Sequence, residues 1–447
     1  MTRLQSIAVV GSGISGLGAA WLLSRNHDVT LFESDDRLGG HSNTVDVPTH
    51  DGSVAVDTGF IVYNTASYPN LIALFAHLDV PTAATDMGFA VSLADGDYEY
   101  SGDGLAGLFG QYSNIANPSH WRMIANIRRF FQDARAVLAD PAAVGHTLGE
   151  YLISKRYSEA FINRHILPMA AAIWSTPSGD VLQFPVQSFV RFFDNHGLLQ
   201  VNNRPQWRTV VGGSRSYIKR ILATSNVRIV LQSPIRSIAR TPYGVTVTHS
   251  NGAEHFDGCV VATHADDALA LLADPDERER TMLQAFSYTA NRAVLHSDAA
   301  QMPKRRRLWS SWNYLGTESR SEPPSLTYWM NKLQPLETSK NIFVTINPHR
   351  DLAAQSTIAS FNYRHPMFDR AAMAAQRELW QLQGRRHTWF CGSYFGYGFH
   401  EDGLQSGLAV AEAIGSPRRP WQVSNANGHI YVNAAHSATE PDLAAAQ

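Results

Sequence analysis

Residues 7–41 read IAVVGSGISGLGAAWLLSRNHDVTLFESDDRLGGH. Ile7 to Val10 form a short run rich in β-branched residues, as a strand buried in a parallel sheet requires. Gly11, Gly13 and Gly16 follow in GxGxxG spacing, Ile14 to Ser24 read as a helix, and DVTLFE supplies a second strand. In such a unit Gly11 permits a tight turn, Gly13 lets a pyrophosphate approach the backbone, and Gly16 lets helix and strand pack closely. The helix N-terminus then offers free N–H groups and the positive end of its dipole to the phosphates. Glu33 closes the second strand, where a carboxylate can accept hydrogen bonds from both ribose hydroxyls and would repel a 2′-phosphate. A lone GxGxxG is a weak signal. With flanking strands and a placed acid it predicts a dinucleotide site.

The rest of the composition bounds the answer. At 447 residues the chain exceeds what one compact core serves, so two domains are expected. A formal charge of −2 provides no field that would favour nucleic acid, and no such partner is expected. Cys259 and Cys391 are the two cysteines and lie far apart. Neither a disulfide framework nor a metal site is expected, and a reducing, cytoplasmic setting fits. MTRLQ leads straight into an apolar run that breaks at Gly11, too short for a targeting core. No stretch approaches the roughly 20 apolar residues that span a bilayer. The expectation is a soluble protein, at most peripheral at the inner membrane surface.

After Glu33, the run SDDRLGGH puts Arg37, Gly39 and Gly40 into a second turn beside the phosphates, and VAVDTGFIVYN carries a D-x-G turn at Asp57 and Gly59. Near the other end, HTWFCGSYFGYGFHEDGLQSGLAVAEAI has a strand ending at Phe390–Ser393 and a helix opened by Gly403, Ser406 and Gly407. On these motifs the chain resembles the flavin-containing amine oxidase and carotenoid desaturase superfamily, and the resemblance covers nearly the whole chain. It implies an α/β fold in which a GxGxxG Rossmann-type FAD-binding domain (1–67, 206–290 and 385–420) is interleaved with a mixed α+β substrate domain (68–205 and 291–384). Residues 421–447 form a C-terminal extension ending in a weakly ordered tail, SATEPDLAAAQ.

The implied cofactor is non-covalent FAD. Its binding residues would be Gly11, Gly13, Ile14, Ser15, Gly16, Glu33, Ser34, Arg37, Gly40, His41, Asp57, Thr58, Gly59, Phe60, Gly392, Ser393, Gly403 and Leu404. Two positions depart from the superfamily pattern. His41 stands where arginine is usual, and Ser393 where an acid touches the ribityl chain. The late helix would aim its N-terminus at the charge that develops near flavin N1 and O2, with close backbone approach at Gly403 and Gly407.

Between these motifs the chain changes character. SHWRMIANIRRFFQDARAVLAD places Trp121, Ile124, Ile127, Phe131, Ala134 and Leu138 on one helical face. That face reads as core, or alternatively as a membrane-facing surface bordered by Arg128 and Arg129. INRHILPMAAAIWSTP and LQFPVQSFVRFFDNHGLL suit core or the lining of an apolar pocket. Gly212 and Gly213 form a turn opening a helix that leads back to the nucleotide domain, followed by short strands ending in CVVATH. ANRAVLHSD, PSLTYWMNKLQ and NIFVTIN read as strands of a second sheet. PKRRRLW puts Lys304, Arg305, Arg306 and Arg307 in a loop, either solvated or an anchor for phosphate headgroups or an anionic substrate.

Candidate catalytic residues are His400, Tyr397 and Lys332. Tyr394, Phe395, Tyr397 and Phe399 are candidates for an aromatic wall, while Glu401 and Asp402 suit a helix cap. The superfamily's amine oxidases often place a lysine near flavin N5; here the corresponding choice is Lys332, or His296 in place of lysine. The segments GGHSNTV, DTGFIVYN, MPKRRRLWSSWNY, YWMNKLQ and GFHEDG resemble a bacterial subgroup found beside cyclopropane-fatty-acid-synthase-like methyltransferases. That resemblance implies dehydrogenation, or double-bond isomerisation, of an unsaturated or methyl-branched acyl chain, free or on phospholipid, by hydride transfer to flavin N5. Dioxygen or another acceptor would reoxidise the flavin, peripheral membrane contact would bring the lipid, and a methyltransferase would be a partner. An amine oxidase acting on a small primary or secondary amine, and a flavin-binding accessory protein of a lipid methyltransferase, are the alternatives.

Overall fold

The strand Ser6–Val10 lies at the centre of a five-stranded parallel sheet, ordered Val227–Val230, Asp28–Phe32, Ser6–Val10, Gly258–Val261 and Thr388–Phe390. The computed structural model describes residues 4–50, 52–143, 145–174, 178–200, 204–316 and 325–432. Val10 is in register with both Phe32 and Val261, and Val261 with Phe390. Their carboxyl ends therefore finish side by side, and Gly11, Glu33, Ala262 and Cys391 leave the sheet at one edge. That edge is where ligands bind in open α/β sheets.

Helix Ile14–Leu23 follows the first strand and is buried along its whole length. A helix apolar all round has no solvent face, and here the second side is covered by helix His400–Ile414. Three glycines allow this packing. Gly11 has φ +100, and a Cβ there would lie 2.8 Å from the Ala262 carbonyl oxygen. A Cβ on Gly16 would lie 1.9 Å from the Gly11 carbonyl oxygen, and one on Gly407 would lie 2.1 Å from the Ser15 carbonyl oxygen. Gly407 thus serves helix-to-helix contact.

The second sheet has seven strands, ordered Thr357–Pro366, Tyr288–His296, Phe343–Ile346, Ser325–Trp329, Trp312–Gly316, Phe89–Leu93 and Tyr98–Ser101. It is mixed, since Trp312–Gly316 pairs in parallel with Phe89–Leu93. A hydrogen-bonded set of Tyr63–Asn64, Trp207–Val210 and Thr82–Thr85 joins segments expected on opposite sides of the boundary at 67 and 68. Ile235–Thr241, Gly244–His249 and Gly252–Phe256 form an antiparallel meander.

Helices between residues 118 and 195 cover the second sheet. Pro118–Asp133 starts where Asn117 accepts hydrogen bonds from Ser119 N (3.0 Å) and His120 N (3.4 Å), with proline at the first helical position. Its expected face packs on the core at Ile124, Ile127, Phe131, Ala134 and Leu138 and departs from it at Trp121. His120, Met123 and Phe130 are buried, Trp121 is exposed, and Ile124, Ile127 and Phe131 border a cavity. The charge run also has protein partners: Lys304 pairs with Asp95 (2.7 Å), Arg305 with buried Glu99 (2.8 Å), Arg306 lies over Trp309, and Arg307 over Tyr112. In the C-terminal extension Trp421 stacks on Trp21 at 5.8 Å, and just before it buried Arg419 bonds Glu412 and Asn70. The expected tail, 437–447, lies outside the described residues. Among the described residues no helix is long and apolar enough to cross a membrane.

Gly407→Ala tests the helix–helix approach. Alanine raises helix propensity by up to about 1 kcal/mol, whereas overpacking against backbone costs about 1–3 kcal/mol. The expected result is a lower thermal midpoint. An unchanged or higher midpoint would show that the two helices need no such approach.

Candidate cofactor and substrate site

A single cavity of about 770 Å³ runs from the strand ends of the parallel sheet into the space between the second sheet and the helices. At the sheet end it is lined by Gly11–Ser15, Glu33, Gly39–His41 and Ala262–His264. A Cβ built on Gly13 meets nothing within 4 Å, so that backbone faces open space. Glu33 is fixed in place: its Oε2 accepts from Ser12 N (2.9 Å) and Ser12 Oγ, and its Oε1 from Asp35 N and Ser34 Oγ (both 3.0 Å). The Gly39–Gly40 turn is held by Arg37 Nη1, which donates to the Gly40 carbonyl at 2.9 Å.

The late loop and helix meet the cavity from the other side. Gly392, Ser393, Tyr394, Tyr397, Phe399, His400 and Gly403 all line it. Ser406 Oγ accepts from Gly392 N at 3.0 Å and so ties the strand end to the first turns of the helix. Asp402 closes the loop, its Oδ2 accepting from Tyr397 N (2.9 Å) and Phe399 N (2.7 Å). Glu401 has a different task. Its carboxylate accepts from Asn70 N (3.0 Å) and Leu71 N (2.9 Å), capping the distant helix Pro69–His77. His400 stacks on Phe60 at 3.7 Å, and its Nε2 bonds Tyr217 Oη (2.9 Å) and Ser42 Oγ (3.1 Å). Burial pushes its pKa down to about 3, so the imidazole is neutral near pH 7.

Beyond the loop the lining turns apolar, with Ile124, Ile127 and Phe131 from helix Pro118–Asp133, Met169 and Ile173 from Leu167–Trp174, and Trp312 and Tyr328 from the sheet. Phe192 stacks on Phe399 (4.9 Å) and on His196 (3.9 Å). His165 enters this lining from a π-helical turn, Ile162–Ile166, with Nδ1 3.0 Å from Tyr100 Oη. Wide helical turns of this kind re-aim one side chain and recur at functional sites. Burial lowers His165 to about 3, His196 to about 4 and His365 to about 4, and it holds His41 well below the usual histidine range. The lining carboxylates are Glu33, Asp267, which is paired with Arg364, and Asp103, an exposed residue at the rim. Arg128 and Arg204 are exposed lining residues too.

Comparison with known proteins agrees with this geometry. The sequence profile of the family described as "Flavin containing amine oxidoreductase" matches residues 14–332. The chain belongs to this family. It is 26% identical over 332 residues to a candidate flavin-containing monoamine oxidase, AofH, of Mycobacterium tuberculosis, covering 71% of this chain and 69% of that one. It is 23% identical over 406 residues to an L-amino-acid oxidase of Siganus canaliculatus, covering 86% and 72%. Among solved structures, putrescine oxidase bound to putrescine superposes with a TM-score of 0.65 at 16% identity, covering 92% of this chain and 99% of that one. A CLA-producing fatty acid isomerase from P. acnes gives the same TM-score at 14% identity, covering 93% and 99%. The protein is therefore an FAD-dependent oxidoreductase of the flavin amine oxidase family.

The residues present fit FAD. The open backbone at Gly13 suits a pyrophosphate, Glu33 is oriented for a ribose, and the cavity continues past both toward His400 and Gly403. Of the expected binding residues, Gly11, Gly13, Ile14, Ser15, Glu33, Gly40, His41, Gly59, Phe60, Gly392, Ser393 and Gly403 line the cavity. Six stand behind it. Gly16 packs against Gly11, Ser34 and Arg37 hold neighbours, and Leu404 packs at Gly18. Thr58 Oγ1 bonds Tyr363 Oη at 2.7 Å. Asp57 is buried, which pushes its pKa up to about 6, and it accepts from Ser214 N, Thr44 Oγ1 and Gln334 Nε2. The Asp57 carboxylate thus locks the Gly213 turn to the strand Thr44–Thr49 and is not among the residues lining the cavity.

Three further expectations are corrected. Lys332 is outside the cavity because its ammonium pairs with Asp86 at 3.2 Å. His296 is buried on Thr345 Oγ1 at 2.7 Å. Phe395 is buried in the core and does not join the aromatic wall. Ser12, Thr263, His165 and His196 are lining residues that sequence reading did not single out.

Two predictions follow from this geometry. A Cβ at Gly13 meets no protein atom within 4 Å, so Gly13→Val should leave the apoprotein's thermal midpoint nearly unchanged while losing bound flavin, read by visible absorbance. Retention of the yellow colour would contradict the placement of the pyrophosphate. The second concerns His429, whose Nδ1 lies 2.7 Å from Asp402 Oδ1. Burial opposes its proton, but Asp402, with Glu401 nearby, raises its pKa above 6.5. A raised native pKa stabilises below the unfolded value and is lost as pH rises through the native one. The thermal midpoint gap between the native chain and His429→Gln should be full below about pH 6, shrink as pH rises through the native pKa, and vanish above it. A gap that widens with pH would refute the pairing.

Proposed function

We propose that this oxidoreductase dehydrogenates, or isomerises a double bond of, an unsaturated or methyl-branched fatty acyl chain, free or carried by a phospholipid. The observation that carries the reading is the chemistry of the cavity beyond the cofactor end. Its wall is aliphatic and aromatic, its histidines are held neutral by burial, and among the described residues its carboxylates lie only at Glu33, at the Arg364-paired Asp267 and at the rim residue Asp103. A neutral hydrocarbon enters such a wall favourably, by about 25 cal/mol per Å² of apolar surface buried. An ammonium would be desolvated there without a counter-ion.

FAD when bound supplies the hydride acceptor at N5. The chain's own residues do the rest. Tyr397 and Phe399 line the cavity from a loop held by Asp402, the neutral His400 is braced by Tyr217 and Phe60, and the first turn of helix His400–Ile414 turns its positive end toward the cavity. A methyltransferase acting on acyl chains would supply the branched form of the substrate, and dioxygen or another acceptor would take up the electrons.

The second reading is oxidation of a small amine. It is favoured by the relatives and by Asp103, the carboxylate that an ammonium would meet at the rim. Anaerobic incubation of the yellow protein with unsaturated phospholipids, and separately with primary and secondary amines, decides between them. Lipid should bleach the flavin, or yield acyl chains with a new or moved double bond, while amines leave it oxidised. Bleaching by amines alone, abolished by Asp103→Asn, would establish the second reading instead.

A further inference from the structure

Between Asp103 and Asp133 the chain contains no acidic residue and three arginines, Arg122, Arg128 and Arg129. The same stretch exposes four large apolar side chains: Leu105 (75%), Tyr112 (68%), Ile115 (56%) and Trp121 (50%). They come from helix Gly104–Leu108, the turn Tyr112–Ala116 and helix Pro118–Asp133. These three elements are joined in one surface. Trp121 Nε1 donates to the Ile115 carbonyl at 2.9 Å, and the Trp121 ring lies 4.8 Å from Phe109, the residue that ends helix Gly104–Leu108. The Arg307 guanidinium sits 4.2 Å over Tyr112, adding a further cation to the face. Both bordering acids are engaged, Asp103 by Ser310 Oγ at 2.8 Å and Asp133 by Arg129 at 3.9 Å.

Single exposed apolar residues are ordinary, but a joined group of them that carries aromatic rings and arginines with no acid between is the pattern of a membrane-surface anchor. The placement strengthens this. Gly104, Leu108, Ile124 and Arg128 of the same elements line the cavity, which reaches exposed residues here. We propose that this face docks on an anionic lipid bilayer and brings the cavity rim to the membrane surface. The occupant is chosen by charge sign, by aromatic and aliphatic groups at a free surface, and by continuity with an apolar interior. The inference stands apart from the substrate reading, because docking is measured without turnover.

Co-sedimentation of the purified flavoprotein with vesicles tests it. Binding is expected to vesicles containing phosphatidylglycerol, to weaken severalfold with added salt, and to be much weaker on phosphatidylcholine alone. Leu105→Glu combined with Ile115→Glu should lower the partition at least tenfold, and Arg122→Glu severalfold on the anionic vesicles only. Unchanged flavin content and thermal midpoint would exclude unfolding as the cause. Absence of binding by the native chain, or equal binding by the double variant, overturns the proposal. So does a native dimer that the double variant dissociates while neither protein binds vesicles, because the face would then be a contact between copies of this chain.

Discussion

The approach of helix Ile14–Leu23 to helix His400–Ile414 is the contact on which the site depends. Gly407 lets one helix backbone meet the other at Ser15, and Leu404 fills the space left by Gly18 one turn earlier. Each helix begins at the cavity, one at Gly13–Ile14 and the other at His400. Fixing their separation therefore fixes the distance between the dinucleotide turn and the loop Gly392–Phe399. Two stretches nearly 390 residues apart in sequence, at Gly13 and His400, become two walls of one cavity. A few small residues do this because backbone-to-backbone packing leaves no room for a Cβ.

A second set of contacts turns this pair into a complete wall. Glu401 caps helix Pro69–His77, Asp402 holds the loop at Tyr397 and Phe399, and His429 in the C-terminal extension pairs with Asp402. Adjacent carboxylates on one turn thus serve different elements. Their acidity near a helix N-terminus is favourable in itself, and their burial is tolerated because donors meet each of them. The same logic explains Asp57, which lies in a motif expected to touch cofactor yet joins the Gly213 turn to the strand Thr44–Thr49.

The dinucleotide end was legible in the sequence because its constraints are local: a strand, a glycine turn and an acid at the end of the next strand depend on neighbours in the chain. The interleaving of two sheets was legible through resemblance. What could not be read depends on distant partners. Lys332 has the right chemistry for a base, but Asp86 holds it elsewhere. His165 reaches the cavity through a π-helical turn that leaves no pattern in a single sequence. The apolar face of helix Pro118–Asp133 does pack on the core, but Ile124, Ile127 and Phe131 border the cavity as well, and apolar periodicity does not separate the two.

Fold likeness is indifferent to the substrate, since putrescine oxidase and a fatty acid isomerase superpose on this chain equally well. Discrimination must come from the lining. Moving a charge into a dry cavity costs several kcal/mol unless an opposite charge waits there, and burial has already removed the charge from His165, His196 and His400. The lining charges on the substrate side, Asp103, Arg128 and Arg204, are all exposed. On the acyl reading proposed above, the substrate would leave its polar head among them and send its uncharged chain inward. The reacting carbon would then lie in that chain, separating recognition at the rim from chemistry beside the cofactor.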